Sequence, residues 1–101
     1  MDKQTLIIAF QTKDEHNRLD QEQMFGLVKK LTAALGGVTL RENVGGYIRK
    51  DNGKPDIEYS YSLEFFGVSA AAVKAVGQGL AVENDQEAYY LNGQEFITAK
   101  N

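Results

Sequence analysis

The spacing of apolar residues predicts two long strands with a helix between them. Residues 5–10 are largely apolar on both alternating faces, which is typical of a central strand covered from two sides. Residues 57–65 instead alternate between apolar and polar, as expected for a strand with one buried face. Between them, apolar residues recur at the spacing of an amphipathic helix; they are Met24, Leu27, Val28, Leu31 and Leu35.

Capping residues indicate where this helix and a second one begin and end. Asp20 stands three residues before a glutamine, an arrangement that caps a helix start, and Gly36-Gly37 provides the permissive backbone at which helices end. Ser69 predicts the start of a second helix, whose apolar residues again recur at helical spacing. Gly77 and Gly79 are expected to weaken the later half of that helix.

Turn residues divide the rest of the chain into strands. A second strand is predicted from 38 to 49, with Gly45-Gly46 marking a bulge or a close backbone approach. Asp51-Asn52-Gly53 predicts the turn that leads into the alternating strand. Residues 87–91 form a predicted closing strand. The segment Phe96-Ile97-Thr98 is expected to form a short further strand or an arm onto a neighbour.

The predicted order of elements is β, α, β, β, α, β within one domain of residues 1–101, which is typical of a ferredoxin-like α+β fold. In that fold two helices cover one face of an antiparallel sheet and leave the other face open. Because the first strand is apolar on both faces, another surface is expected to cover the open side. A homo-oligomer meets this need, most simply a homotrimer with its sheets turned inward.

Composition and charge narrow the kinds of function. The 101 residues carry a formal net charge of −3, no cysteine and one histidine. The acidic balance argues against a nucleic-acid partner, and no apolar run is long enough for a membrane span. Without cysteine, thiolate nucleophiles and Cys-based metal sites are excluded, and the acidic clusters lack the spacing of a calcium loop. We therefore expect a cytoplasmic protein with no metal and no cofactor, in which His16 is a solvated surface residue.

Tyr47 and Glu58 are the candidate site residues. They stand eleven residues apart, on the two strands of the predicted hairpin. With the turn centred near Asn52-Gly53, both lie at similar heights on adjoining strands, and their side chains can flank one small pocket. The alternative is a packed, solvated pair without a function, which is the commoner outcome for a tyrosine and a glutamate on neighbouring strands.

Four short features, spread over most of the chain, match one known family. They are Ala9-Phe10 at the end of the first strand, Gly45-Gly46-Tyr47 after the first helix, Glu58 at the family's spacing, and Gln86-Glu87 ahead of the last strand. With these features the chain resembles the small S-adenosylmethionine-degrading enzymes of bacteriophages, described first as hydrolases and later as lyases. The loop after the first strand, Gln11-Thr12-Lys13, departs from the family because it lacks a serine-rich character.

The resemblance implies a fold, an assembly and a reaction. The family forms trimers of ferredoxin-like subunits, similar to PII signalling proteins, with active sites between subunits. In its reaction the carboxylate of S-adenosylmethionine attacks the substrate's own γ-carbon, which yields methylthioadenosine and homoserine lactone. No protein nucleophile is needed, since a fixed reactive conformation and the removal of water are sufficient. A phage enzyme of this kind would deplete the methyl donor in the host cytoplasm and blunt restriction and modification.

The resemblance also implies residue roles. Glu58 is expected to accept hydrogen bonds from the substrate's ammonium group, and Tyr47 to donate its hydroxyl or to place its ring against the sulfonium. Ser60 is a polar neighbour on the same face, or a residue that pairs across the trimer seam. Phe10, Gln11 and Thr12 of the next subunit are expected to form the rim of the adenine pocket. The first of these three can instead be a core residue.

Two other kinds of function remain open. A PII-like trimer can bind a nucleotide or a small metabolite in its intersubunit clefts as a sensor and leave it intact. A small acidic phage protein can instead inhibit a host protein by occluding it. Turnover of S-adenosylmethionine separates the enzyme from both alternatives, and capture of a host protein separates the two alternatives from each other.

Overall fold

The computed structural model describes residues 2–99, which form five strands and two helices. In chain order they are β1 (Lys3–Ile8), α1 (Gln21–Leu35), β2 (Thr39–Ile48), β3 (Pro55–Phe66), α2 (Ala70–Glu83), β4 (Ala88–Leu91) and β5 (Gln94–Ile97). The predicted order of elements is confirmed, with one further strand at the end. The first residue and the last two of the predicted domain lie outside the described residues. No helix within residues 2–99 is long and apolar enough to cross a membrane.

The strands join one antiparallel sheet in the order β2-β3-β1-β4-β5. β1 lies at its centre, as its apolar sequence predicts, and the two helices complete a ferredoxin-like α+β arrangement. β5 follows β4 through Asn92 and Gly93, whose φ angles of 52° and 83° suit a tight two-residue turn. The short strand predicted near the end of the chain is therefore confirmed, and it pairs within its own chain.

One face of the sheet carries the core, and the alternation of side chains decides which residues point there. Leu6 of β1 lies opposite both Leu63 of β3 and Leu91 of β4, so these three side chains share that face. α2 packs against β1 and β4 on the same side, and α1 contributes Leu31. The buried apolar residues are Leu6, Ile8, Phe10, Leu19, Leu31, Tyr61, Leu63, Phe65, Val73, Leu80, Ala81, Tyr89 and Leu91.

The opposite face, here called the open face, is covered by neither of the two helices that residues 2–99 form. On β1 it carries Lys3, which is exposed, and Thr5 and Ile7, which are half-buried. On β3 it carries the polar half of the alternating pattern, including Glu58 and Ser60. The homotrimer with inward-facing sheets stays a prediction.

The helix ends form as their capping residues predict. Asp20 Oδ1 accepts a hydrogen bond from the backbone N–H of Gln23 at 2.7 Å, and the Gln23 side chain accepts one from the Asp20 N–H at 2.8 Å. Gly36 ends α1 with a φ of 93°, a left-handed conformation that favours glycine. At the start of α2, Ser69 Oγ accepts the N–H of Ala72 at 3.1 Å. Local sequence therefore specifies both helix starts.

Gly77 has a packing role within α2. A Cβ at this position would lie 2.8 Å from Leu6 Cδ1 and 2.9 Å from Tyr89 Cδ2, closer than carbon atoms pack. The missing side chain lets α2 lie directly on β1 and β4. The helix continues without a break to Glu83, so its later half is helical despite the two glycines.

β2 and β3 form a hairpin with unbroken pairing, from Thr39 opposite Glu64 to Ile48 opposite Pro55. Gly45-Gly46 lies within this pairing, so the predicted bulge is wrong. The alternative, a close backbone approach, is also wrong, because a Cβ at either glycine would meet no atom nearer than 3.6 Å. These glycines leave the surface of the hairpin open instead of bending it.

The far half of the hairpin extends beyond the rest of the sheet. β1 ends opposite Tyr61, so residues 55–60 of β3 have no β1 residue beside them. The hairpin closes at the predicted turn, where Gly53 has a φ of 68° and donates its N–H to the carbonyl of Arg49 at 2.9 Å. We call residues 43–60, which include this turn, the arm.

Candidate functional site

Tyr47 and Glu58 lie on the open face of the arm, on neighbouring strands. Tyr47 pairs in register with Asp56, and Glu58 pairs with Gly45. The two side chains are therefore diagonal neighbours, two residue positions apart along the hairpin, with the pair of Gly46 and Ile57 between them. They share one face, as the sequence predicts, but the expected similar height is wrong, because they are offset by two residues along the hairpin.

The position of the turn accounts for this offset. The backbone N–H of Arg49 donates to the carbonyl of Lys54 at 2.9 Å, and the residues between these two form the loop. The hairpin is thus centred one residue earlier than the expected centre at Asn52-Gly53, which shifts every pairing by two residues. Because side chains alternate with a period of two, this shift leaves both candidate residues on one face.

The Tyr47 hydroxyl is held by the carboxylate opposite it. It donates a hydrogen bond to Asp56 Oδ2 at 3.3 Å. Arg49 Nη1 lies 3.6 Å from the same oxygen, and this guanidinium also pairs with Asp51. The negative charge of Asp56 is the main cause that raises the pKa of Tyr47, with smaller contributions from desolvation and from Glu58. The phenol is therefore protonated at neutral pH and has an acceptor for its proton.

Glu58 is half-buried and faces a position without a side chain. Its partner across the strand pair is Gly45, which leaves space beside the carboxylate. Among residues 2–99 the Glu58 carboxylate has no hydrogen-bond or ion-pair partner. Tyr47 thus has one carboxylate opposite it and a second one diagonal to it. Two carboxylates beside an aromatic ring favour a ligand that carries positive charge.

Ser60 continues the open face from Glu58 toward the centre of the sheet. It pairs in register with Asn43, whose Nδ2 donates to Ser62 Oγ at 2.9 Å. Ser60 is half-buried and Ser62 is buried. The structure therefore brings Ser60, Glu58 and Tyr47 together along one polar surface.

The other three candidate residues lie elsewhere in the chain. Phe10 is only 5% exposed and packs edge-on against the Tyr61 ring, with centroids 5.6 Å apart. Phe10 is thus a core residue of this chain, which was the alternative to its expected place on the rim of the adenine pocket. Gln11 and Thr12 line an open cleft of about 1130 Å³ between the loop after β1 and the start of α1. Within one chain they are not brought to the open face of the arm.

A network that the sequence analysis missed ties the loop after β1 to the base of the arm. Arg18 pairs with Glu42 through two contacts, Nε to Oε2 at 3.2 Å and Nη2 to Oε1 at 3.1 Å. Tyr61 donates to Glu42 Oε2 at 2.9 Å and accepts the N–H of Leu19 at 2.8 Å. Burial is the main cause that raises the pKa of Tyr61 to about 12. A tyrosine on the apolar face of β3 was the available signal, since a buried phenol needs a partner.

His16 fixes the same loop to the edge of β3. Its carbonyl accepts the N–H of Tyr59 at 3.2 Å, and its Nδ1 lies 3.0 Å from the carbonyl oxygen of Ile57. The residue is half-buried, which corrects the expectation of a solvated surface histidine. Beyond the end of β1, the loop therefore takes the place of that strand beside the arm.

Similar folds occur among solved protein structures. No protein-family profile matches the chain, and no curated protein matches it. A solved phage SAM (S-adenosylmethionine) lyase in complex with S-methyl-5′-thioadenosine is similar over 96% of this chain and 88% of its own, with a TM-score of 0.63 and 17% identity. An apo phage SAM lyase structure is similar over 98% and 90%, with a TM-score of 0.63 and 18% identity. The resemblance found in the sequence is confirmed as a shared fold over nearly the whole chain.

Proposed function

We propose that the chain cleaves S-adenosylmethionine into methylthioadenosine and homoserine lactone, in active sites between the subunits of a homotrimer. The observation that carries the proposal is the placement of Tyr47 and Glu58 on one face of the arm, within a fold shared with phage SAM lyases. One of those structures holds S-methyl-5′-thioadenosine, which is the nucleoside that this cleavage would release.

The reaction is a displacement within the substrate. A carboxylate oxygen forms a bond to the γ-carbon as the bond between that carbon and sulfur breaks, and the electron pair stays on sulfur. The sulfonium becomes a neutral thioether, and no proton, oxidant or protein nucleophile is consumed. The protein therefore has to hold the carboxylate against the γ-carbon and to keep water away.

Glu58 is the residue proposed to hold the amino-acid end of the substrate. Its unpartnered carboxylate can accept hydrogen bonds from the substrate's ammonium group, in the space that Gly45 leaves open. Holding the ammonium restricts rotation about the bonds that lead to the γ-carbon. This restriction is the source of the rate enhancement in the proposal, since a preorganised intramolecular reaction has less entropy to lose.

Tyr47 and Ser60 complete the proposed site on this subunit. Tyr47 contacts the sulfonium through its hydroxyl or its ring, and the carboxylates around it stabilise the positive charge of the substrate. Ser60, on the same face of β3 as Glu58, is proposed to donate a hydrogen bond to the substrate's polar groups. All three lie on the uncovered side of the sheet.

A neighbouring subunit is proposed to close the site. Tyr47 is 51% exposed, so a single chain does not exclude water from it. On the other side of the arm, three apolar side chains between 50% and 64% exposed offer a neighbour a contact surface; they are Val44, Ile48 and Ile57. The loop with Gln11 and Thr12, backed by Phe10 in the core, would then form the adenine rim from the next subunit.

Incubation with S-adenosylmethionine in ¹⁸O-labelled water tests the proposal. Methylthioadenosine is followed by chromatography, and the amino-acid product by tandem mass spectrometry. We expect homoserine lactone, and any homoserine formed from it should carry ¹⁸O in its carboxyl group and not in its side-chain hydroxyl. Label in the hydroxyl would mean that water attacks the γ-carbon, which contradicts the displacement.

Glu58→Gln gives the residue-level test. We expect turnover to fall by roughly a hundredfold or more, because an amide no longer offers an anion to the ammonium group. Glu95→Gln is the matched control, since Glu95 lies on the open face at the opposite edge of the sheet, where its carboxylate accepts a hydrogen bond from Tyr90. Light scattering on both variants shows whether the assembly is unchanged. If the wild-type chain leaves S-adenosylmethionine intact, the proposed enzymatic activity is refuted. Calorimetric binding of S-adenosylmethionine without turnover would then support a sensor.

A further inference from the structure

Asp56 is the direct cross-strand neighbour of Tyr47, and the proposed site gives it no role beyond its negative charge. It accepts the only proton that a phenol can donate, through the hydrogen bond of 3.3 Å to Oδ2. A hydroxyl that already donates to a carboxylate is not free to donate to a ligand. The hydrogen bond also fixes where the far end of the Tyr47 ring lies.

Arg49 holds Asp56 from the other side. Its Nη1 is 3.6 Å from the oxygen that accepts the Tyr47 proton, while its Nε and Nη2 contact Asp51 at 3.0 and 2.8 Å. The guanidinium is therefore anchored to Asp51 in the hairpin turn, and from there it helps to position the Asp56 carboxylate. The charged groups that face Tyr47 are thus Asp56, Glu58 and Arg49, two of them negative.

We propose that Asp56 is a positioning residue, which takes the Tyr47 hydroxyl proton so that Tyr47 meets the sulfonium with its ring. The inference rests on the proposed function and decides between the two contacts left open for Tyr47. It also implies that the site prefers a ligand with a positively charged sulfur. A ring beside two carboxylates attracts a sulfonium and loses that attraction when sulfur becomes a neutral thioether, which favours substrate over product.

The first test measures Tyr47 itself. In wild type the charge of Asp56 holds the pKa of Tyr47 above its ordinary value of 10.0. In Asp56→Asn we expect that pKa to fall toward 10.0, measured by NMR of ¹³C-tyrosine-labelled protein with Tyr47→Phe to assign the signal. Asp51→Asn is the matched control, because it removes a carboxylate that pairs with Arg49 but does not bond Tyr47. An unchanged Tyr47 pKa in Asp56→Asn would overturn the inference.

The second test separates the ring from the hydroxyl by kinetics. We expect Tyr47→Phe to keep kcat/KM within roughly tenfold of wild type and Tyr47→Leu to lose roughly a hundredfold, because only the second removes the ring. Equal losses in the two variants would show that the hydroxyl is what matters and would overturn the ring contact. In Asp56→Ala combined with Tyr47→Phe, the loss should be no greater than in the worse single variant, since both break one contact.

The outcomes of these tests separate the inference from the proposed function. A wild-type chain that forms no methylthioadenosine refutes the proposed function, whatever the Tyr47 pKa does. Additive losses in the double variant refute the positioning role, whatever the wild-type rate is. Losses that are not additive, together with a lowered Tyr47 pKa in Asp56→Asn, support it, because a merely structural substitution would not move both.

Discussion

The two halves of β3 have the same alternating sequence but different surroundings. In residues 61–66, the side chains of Tyr61, Leu63 and Phe65 are 0% exposed beneath the helices. In residues 55–60, which belong to the arm, Ile57 points to the same face and is 50% exposed. The comparison shows that an alternating pattern specifies a face of a strand without specifying what covers that face.

The polar side chains near the sheet centre and those in the arm differ in the same way. Near the centre of the sheet, Glu64 is paired with both Arg41 and Lys3, and its side chain is 14% exposed. In the arm, Arg49 is paired with Asp51, whose side chain is 63% exposed. Exposed pairs contribute little to stability, whereas unbroken backbone pairing joins the two strands of the arm. Its side chains remain available to a ligand and to a neighbouring subunit.

The largest expected difference between the halves is in the free energy of unfolding. Leu63→Ala should lower it by about 2–5 kcal/mol, because it leaves a cavity in the core. Ile57→Ala, on the same strand and face, should change it by less than about 0.5 kcal/mol in the single chain. Urea denaturation at several protein concentrations measures both. Equal losses that do not depend on concentration would contradict the distinction between the halves, whereas a concentration-dependent loss for Ile57→Ala would place the arm in an interface.

Two glycines of α2 offer a test of how tightly the covered half is packed. Gly77→Ala should destabilise the chain by about 1–3 kcal/mol, since its Cβ would overlap Leu6 and Tyr89. Gly79→Ala should stabilise it by roughly 0.5–1 kcal/mol, because no atom lies within 4 Å of that Cβ and alanine favours the helix. Thermal or urea unfolding of the pair gives both signs. A neutral Gly77→Ala would mean that α2 shifts outward to accept the methyl group.

The smallest expected effect concerns the dependence of stability on pH. Hydrogen bonds from Arg41 and Lys3 hold the pKa of Glu64 below its usual 4.5, in that order of importance. Since the folded-state pKa is the lower one, this carboxylate stabilises the fold above about pH 4.5 and the stabilisation is lost as pH falls through the folded value. Glu64→Gln should therefore flatten the decline of stability between about pH 5 and pH 3.

Asp51→Asn provides the matching variant in the arm. Arg49 also lowers the pKa of Asp51, but that carboxylate is far more exposed. We expect the dependence of unfolding free energy on pH to stay closer to wild type in Asp51→Asn than in Glu64→Gln. A larger change for Asp51→Asn would show that the turn of the arm contributes more to folding than its exposure indicates.

Local chemistry explains which parts of the fold and the site could be predicted. The capping box at Asp20, the left-handed glycine at Gly36 and the turn at Gly53 each depend on neighbours a few residues away. The face shared by Tyr47 and Glu58 could also be predicted, because a shift of two residues in register preserves it. The partner of Tyr47 could not, since it depends on where the turn closes.

The sequence by itself determined the order of strands and helices, their capped ends and the polar face that carries Tyr47, Glu58 and Ser60, because these follow from periods and local hydrogen bonds. The tertiary structure decided the rest. It placed Asp56 opposite Tyr47, buried Phe10 against Tyr61 and moved Gln11 and Thr12 to a separate cleft. Such contacts join residues distant in the chain, and their partners are selected by strand register and by the space left between packed elements.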